Sequence, residues 1–268
     1  MGQVIRTSIS LSAWPELDQR LWYSATTKGE FLAPDGKAAH WVPETKRQVE
    51  KGYGKWVYYL TLVSALPSEE SKSPFDRVTK DRLRAYVDLL TNQGLASQTI
   101  VSRLTDLCEA LRVMCSSCDL TVIKHLVSVL NMRATPSRNK AARIKHPFEI
   151  WGAACKAMDD AHTTDELTPL HRSCAYRDAL ALGLLALRPI RLKNLTQLTL
   201  SEQLRFDGSQ WQCSFSGYET KDKQPLHFAL PTDVTFVTCF ERYLTEHRPV
   251  LLRDPHDEKA GILPSQLT

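Results

Sequence analysis

A chain of 268 residues is long enough for two domains, because a typical domain has about 100 to 200 residues. A hydrophobic content of 43% and a charged content of 24% are ordinary for a globular protein in water, and no apolar run reaches the roughly 18 residues that a membrane span needs. The first ten residues, MGQVIRTSIS, lack the apolar stretch of a secretory signal. We therefore expect a cytoplasmic protein with no membrane partner, whose seven cysteines are thiols.

The net charge of +4 is unevenly distributed along the chain. Residues 1–140 hold 19 basic against 14 acidic side chains, whereas residues 141–268 hold 15 against 16. Between residues 131 and 146 no acidic residue occurs, and the basic residues there are Arg133, Arg138, Lys140, Arg143 and Lys145. Such a concentration suits a polyanion such as DNA. A linker kept soluble by its charges explains it equally well.

The first half of the chain shows helical periodicity after an irregular start. Residues 1–43 have no sustained period and are interpreted as an N-terminal extension. From Glu44 apolar residues recur at helical spacing, for example Val49, Trp56 and Leu60. The remaining surface of that predicted helix is basic, which predicts a DNA-binding face. Its members are Lys46, Arg47, Lys51 and Lys55.

Three more helices are predicted before the basic segment. Thr79 is the expected N-cap of the first, and Gly94 suits a left-handed residue after its end. Ser97 is the expected N-cap of the second, and an apolar helix follows over Leu120–Leu130. Four helices without a strand pattern predict an all-α bundle over residues 44–131.

Residues 132–146 contain Pro136 and the basic run, so the interdomain linker is placed there, with the second domain over residues 147–268. This domain begins with two helices, of which the second has Thr168 as its expected N-cap and Pro169 in its first turn. The pattern then changes to short strands followed by a helix. The predicted segments are Pro147–Ala161, a helix from Leu167, strands Gln203–Phe206, Trp211–Phe215 and Leu226–Leu230, and a helix Asp233–Glu246.

Three stretches together resemble the phage integrase family of tyrosine site-specific recombinases. VTKDRLRAYVDLLTNQGLASQTIVSRLTDLCEALRVM (78–114) is similar to the helix pair of the family's core-binding domain. ALRPIRLKNLTQLTL (186–200) is similar to the segment with the first catalytic arginine, and ETKDKQPLHFALP (219–231) to the hairpin with the catalytic lysine. With GYGKWVYYL near residues 52–60, the similarity covers most of residues 44–250. The resemblance rests on the order and spacing of these segments, since no single motif is decisive.

The resemblance implies a mainly α protein, with a helical core-binding (SAM-like) bundle followed by an incomplete α+β catalytic domain that contains a small antiparallel sheet. It assigns Arg191 as the catalytic arginine, since a guanidinium can bind two oxygens of the phosphate and keeps its charge in the transition state. It assigns Lys221, with Lys223 as the runner-up, to protonate the departing oxygen. Asn194 stands where the family usually has an acidic residue.

The family's later motifs are not found in the sequence. None of the eight histidines has an arginine three residues later, and His256 with Lys259 is the nearest imitation. Tyr243 lies on an apolar helical face and is expected in the core. We therefore expect a chain truncated before its His-x-x-Arg and tyrosine motifs, which binds duplex DNA but is inactive alone. The implied partners are double-stranded DNA and, at full length, other protomers in a synaptic tetramer; the reaction implies no metal or other cofactor.

Two other classes of function stay open. The chain could be a non-catalytic DNA-binding or regulatory protein that retains the recombinase fold, or a helical protein-interaction module. Salt-dependent DNA binding separates the recombinase and the DNA-binding regulator from the protein-interaction module. The encoding DNA beyond codon 268 separates a truncated enzyme from a regulator. Cys115 and Cys118 have a spacing that zinc sites use, but no second pair accompanies them, so no metal site is predicted.

Overall fold

The computed structural model describes residues 7–63, 66, 72–115, 117–139, 141–200, 202–252, 254 and 260–264. The chain forms two compact units, Met1–Lys140 and Ala141–Thr268, whose boundary falls within the segment interpreted as a linker. The fold is mainly helical with one small antiparallel sheet, as predicted. None of the described helices is both long and apolar enough to cross a lipid bilayer.

The first unit is a helical bundle built around the fourth helix. Its helices are α1 (Glu16–Thr26), α2 (Pro43–Leu62), α3 (Lys80–Asn92), α4 (Ser97–Met114) and α5 (Thr121–Arg133). The fourth helix contacts all four others, and its buried residues include Leu104, Leu107 and Leu111. Burying these side chains removes apolar surface from water, which is the main favourable contribution to folding.

Helix α1 lies in the segment for which the sequence predicted no periodic element. Trp22 on α1 and Trp14 just before it are buried in the core of the first unit. The side chain of Asp18, also on α1, is fully buried, where Tyr53 of α2 donates a hydrogen bond of 2.7 Å and Arg77 forms an ion pair. Burial raises the pKa of Asp18, against the hydrogen bond from Tyr53 and the positive charge of Arg77. The N-terminal segment is therefore part of the bundle.

Most predicted helix ends are confirmed by their capping contacts. The Thr79 side chain accepts a hydrogen bond from the amide of Arg82, and Gly94 has a φ of 73°, in the left-handed region. Thr168 accepts from the amide of His171. The prediction for Ser97 is wrong by one residue, because Ala96 is the N-cap and the Ser97 hydroxyl instead donates to the carbonyl of Thr135, 3.0 Å away.

The second unit packs helices against a three-stranded sheet. Its elements are α6 (Pro147–Thr163), α7 (Pro169–Leu187), α8 (Leu192–Thr196), β1 (Leu204–Phe206), β2 (Trp211–Phe215), β3 (Leu226–Ala229), α9 (Val234–Arg242), a π-helical segment (Tyr243–His247) and α10 (Arg248–Leu251). The central strand is β2, which pairs antiparallel with both neighbours. Its inward residues, Cys213 and Phe215, share the core with Leu180 of α7 and Phe240 of α9.

The expectation that all seven cysteines are thiols is wrong for one pair. Cys115 and Cys118 form a disulfide with their Cα atoms 5.7 Å apart, a normal separation for such a bond. The other cysteines are not in a disulfide; they are Cys108, Cys155, Cys174, Cys213 and Cys239.

The buried ion pair gives a test of how α1 is held. We expect Asp18→Asn to lower the free energy of unfolding by about 3 to 5 kcal/mol, because the buried charge of Arg77 loses the carboxylate with which it forms an ion pair. The matched control is Glu109→Gln, which breaks an exposed ion pair with Arg112 and should cost about 1 kcal/mol or less. Urea unfolding followed by tryptophan fluorescence measures both, and equal losses in the two variants would contradict the role of the buried pair.

Candidate phosphate-binding site

Arg191 lies at the start of α8 and contacts the turn between β2 and β3. Its Nη2 atom donates hydrogen bonds to both carboxylate oxygens of Asp222, 2.8 Å from Oδ2 and 3.1 Å from Oδ1. Both side chains are exposed, Arg191 by 49% and Asp222 by 65%, so water and a ligand can reach the pair. The structure thus brings Arg191 beside a turn that lies 30 positions later in the sequence.

Lys221 immediately precedes Asp222 in this turn and is exposed, as is Lys223. No ion pair is found for either lysine among the residues that the structure describes. Lys223 has a φ of 54°, which is unusual for a residue with a side chain and marks a tight turn. Two exposed lysines therefore flank Asp222, the carboxylate in contact with Arg191.

Hydrogen bonds within the turn fix its shape. The carboxylate of Glu219 accepts from the amide and the hydroxyl of Ser216, each at 2.7 Å, and from Nε2 of Gln203 at 2.7 Å. These hydrogen bonds lower the pKa of Glu219, and the two from Ser216 contribute most. The Thr220 hydroxyl donates to the carbonyl of Gln224 at 2.6 Å.

The approach of two backbone segments also requires a glycine. A Cβ atom at position 217 would lie 2.7 Å from the carbonyl oxygen of Lys223, closer than real side chains come. Gly217 therefore lets the two arms of the turn meet. Asn194 is buried, and its Nδ2 lies 3.5 Å from the carbonyl of Glu219, so it links α8 to the same turn.

The four basic residues predicted on α2 differ in their surroundings. Arg47 and Lys51 are exposed, whereas Lys46 is half-buried and donates from Nζ to the carbonyl of Thr26, 2.8 Å away. Lys55 is half-buried as well, and burial, followed by the charge of Arg103, lowers its pKa. Arg47 and Lys51 are thus the two members whose charged ends face solvent.

The basic residues of the segment 131–146 are exposed wherever the structure describes them. Arg138, Arg143 and Lys145 are exposed, and Nζ of Lys145 lies 4.0 Å from Oε2 of Glu149. Lys140 lies outside the described residues, as do His256 and Lys259. Arg138 belongs to the first unit, and Arg143 and Lys145 to the second.

The three tyrosines of the second unit differ in exposure. Tyr176 and Tyr243 are fully buried, and their hydroxyls donate to the carbonyls of Cys239 and Ile262. The expectation that Tyr243 belongs to the core is confirmed. Tyr218 is fully exposed and lies in the same turn as Lys221.

Sequence reasoning missed Asp222, the residue that contacts Arg191. The letters TKDK did offer a signal, since a carboxylate next to a candidate phosphate-binding lysine can pair with a nearby arginine. Sequence reasoning also missed that the Cys115 and Cys118 thiols are joined, which removes them as thiolate ligands for a metal.

Comparison of the sequence with known proteins identifies no family for this chain. No protein-family model matches the chain, and no curated protein matches its sequence.

The Glu219 contacts predict how the turn responds to pH and to mutation. The pKa of Glu219 is lower in the folded protein than in the unfolded chain. Its carboxylate therefore stabilises the turn at pH values above the unfolded pKa, and this stabilisation is lost as the pH falls through the folded pKa. At pH 7 we expect Glu219→Gln to speed hydrogen exchange at the Ser216 amide by about five-fold, because a hydrogen bond to a charged acceptor is replaced by a weaker one.

The control is Glu202→Gln, an exposed residue next to Gln203 that makes no contact with the Ser216 amide. In the wild type the exchange rate, corrected for intrinsic chemistry, should rise as pH is lowered towards the pKa of Glu219. Equal exchange in the wild type and Glu219→Gln would show that the carboxylate does not hold the turn.

Proposed function

We propose that this chain is a DNA-binding protein of the tyrosine recombinase type, involved in DNA integration and site-specific recombination. In this proposal the helical first unit is a core-binding domain that holds duplex DNA. The second unit carries the arginine and lysine that face the scissile phosphate. Its full-length relatives would exchange strands in a tetramer of protomers and need no metal or nucleotide cofactor.

The observation that carries the proposal is the contact between α8 and the β2–β3 turn. A guanidinium and an ammonium that lie close together on an exposed surface can share one phosphate group, the arginine through its planar fork and the lysine as a point charge. Arg191 contacts Asp222, the residue next to Lys221, and both Arg191 and Lys221 are exposed; in this proposal their charged ends approach the same phosphate. Fixed cations of this kind stabilise the additional negative charge of a pentavalent phosphorus more than the ground state.

Order along the chain gives further support. The helical unit with an exposed basic segment precedes the helices, sheet and helix of the second unit. This order is the one that the resemblance to integrases implies. Exposed Arg47 and Lys51 on α2, together with the basic segment, supply the contacts to the DNA backbone.

A second candidate function is favoured by Asp222. Its carboxylate already contacts the Arg191 guanidinium that would bind phosphate. In addition, Tyr176 and Tyr243 are buried, so neither hydroxyl is exposed to attack a phosphate. A protein that uses the recombinase fold to bind DNA without cutting it would have no need of a free Arg191. In that case DNA affinity depends on the first unit and the basic segment, and not on Arg191.

The basic segment predicts the salt dependence of DNA binding. Each phosphate contact contributes about 0.9 to the slope of log K against log salt, so replacing Arg138, Lys140, Arg143 and Lys145 with alanine should flatten the slope by up to about 3.6. The control replaces four other exposed lysines, Lys28, Lys37, Lys124 and Lys156, which changes the net charge equally. Fluorescence anisotropy with a labelled duplex at several salt concentrations measures the slopes. An unchanged slope in the first variant would exclude the segment from the interface.

Removing the Asp222 carboxylate is expected to raise the affinity of the protein for DNA. In the recombinase proposal, Asp222→Asn releases Arg191 for a phosphate, and we expect the salt slope to steepen by about 0.9, the value for one additional contact. Adding Arg191→Gln to Asp222→Asn should abolish this gain. The matched control is Asp178→Asn, which removes the carboxylate partner of another arginine, Arg177. An unchanged slope in Asp222→Asn would favour the second candidate function.

A further inference from the structure

A cluster of two histidines and a glutamate lies in the second unit, on elements that the proposed function does not use. His162 is in the last turn of α6, and Glu246 and His247 end the π-helical segment after α9. Each of the three side chains offers one ligand atom, and these atoms all lie within 4.8 Å of one another. Nδ1 of His162 is 3.7 Å from Oε2 of Glu246, and the two imidazole rings are 5.5 Å apart between centroids.

His247 is held as a metal ligand would be. Its side chain is 6% exposed, and its Nε2 atom has no hydrogen-bond partner among the residues that the structure describes. A buried ring nitrogen without a partner is costly, and such atoms call for an explanation. The other nitrogen, Nδ1, lies 3.2 Å from the hydroxyl of buried Ser173, and the ring stacks on Tyr176 at 4.1 Å.

These contacts fix the orientation of the imidazole. With Nδ1 as the donor to Ser173, Nε2 carries the lone pair, which is the tautomer that a metal-bound histidine needs. The π-helical segment is itself an uncommon element, found frequently at functional sites. Nε2 is therefore the nitrogen of His247 that is left available as a metal ligand.

We propose that His162, Glu246 and His247 bind a divalent transition-metal ion, with Zn²⁺ as the best match. Two imidazoles and one carboxylate form a common ligand set for zinc in sites that keep a fourth position open. Ligands bonded at 2.0–2.2 Å in a tetrahedron are about 3.3 to 3.6 Å apart, so a small closure of the cluster completes the site. The side chains of His162 and Glu246 are 34% and 54% exposed, which lets them move inwards and leaves the fourth position to water.

The consequence of binding is a link between two elements. Metal bonds from α6 to the π-helical segment would join the beginning of the second unit to its last helices. Burial, followed by the charge of His162 and then those of Arg172 and Arg242, lowers the pKa of His247. The positive charge of the two arginines also opposes a dication. Arg242 pairs with Asp159 at 3.3 Å, which offsets part of that repulsion.

Cobalt, which binds zinc sites and absorbs visible light, tests the proposal. We expect the full chain to bind one Co²⁺ with visible absorption bands, and Zn²⁺ to displace it and raise the melting temperature. His162→Gln and Glu246→Gln should each weaken Co²⁺ binding by at least about ten-fold, the loss that even an outer-sphere partner can cause. Both side chains are partly exposed, so these variants are expected to fold where a change at buried His247 could fail.

The control is His171→Gln, an exposed histidine on α7 outside the cluster, which should bind Co²⁺ like the wild type. Ser173→Ala should weaken binding by about ten-fold through the orientation of His247. Equal affinity in wild type, His162→Gln and Glu246→Gln would overturn the proposal. An intense near-ultraviolet charge-transfer band would also overturn it, because that band reports ligation by cysteine thiolates instead.

Discussion

In the second unit, the position of the turn that carries Lys221 depends on the pairing of strand β2. Cys213 and Phe215 of β2 face the core, and the strand pairs on one side with β1 and on the other with β3. The register of β2 with β3, in which Phe215 opposes Leu226, fixes where the connecting turn leaves the sheet. A shift of one residue would move the core side chains to the opposite face. The turn is thereby held beside α8, where Asp222 contacts Arg191.

Elements with an amphipathic pattern and a local signal at their ends could be predicted from the sequence. Thr79 and Thr168 cap helices as expected, and the β2 range is the predicted one. Helix α1 escaped prediction because its buried face includes Asp18, a charged residue that interrupts the apolar pattern and is compensated by Arg77, 59 positions away. The π-helical segment was predicted as ordinary helix, since no local pattern distinguishes it.

The candidate site shows the same limit. The sequence pointed to Arg191 and Lys221, and the structure brings Arg191 to the turn of Lys221, but the contact is through Asp222. Which cation a carboxylate pairs with depends on tertiary geometry that spacing does not encode. Lys46 and Lys55 show this for a predicted surface, since one donates to Thr26 and the other is half-buried. The metal ligands His162 and His247 are 85 positions apart and became a cluster only in the folded unit.

A photo-crosslinker placed on the β2–β3 turn tests most directly whether this turn faces DNA. Tyr218 is fully exposed there, so p-benzoylphenylalanine at this position should leave the fold intact. The matched position is Val234, an exposed residue at the start of α9 in the same unit. On irradiation with a duplex at low salt, the account predicts crosslinking at position 218 that falls with added salt, and little at position 234. Equal yields at the two positions, or none at 218 when DNA is bound, would contradict it.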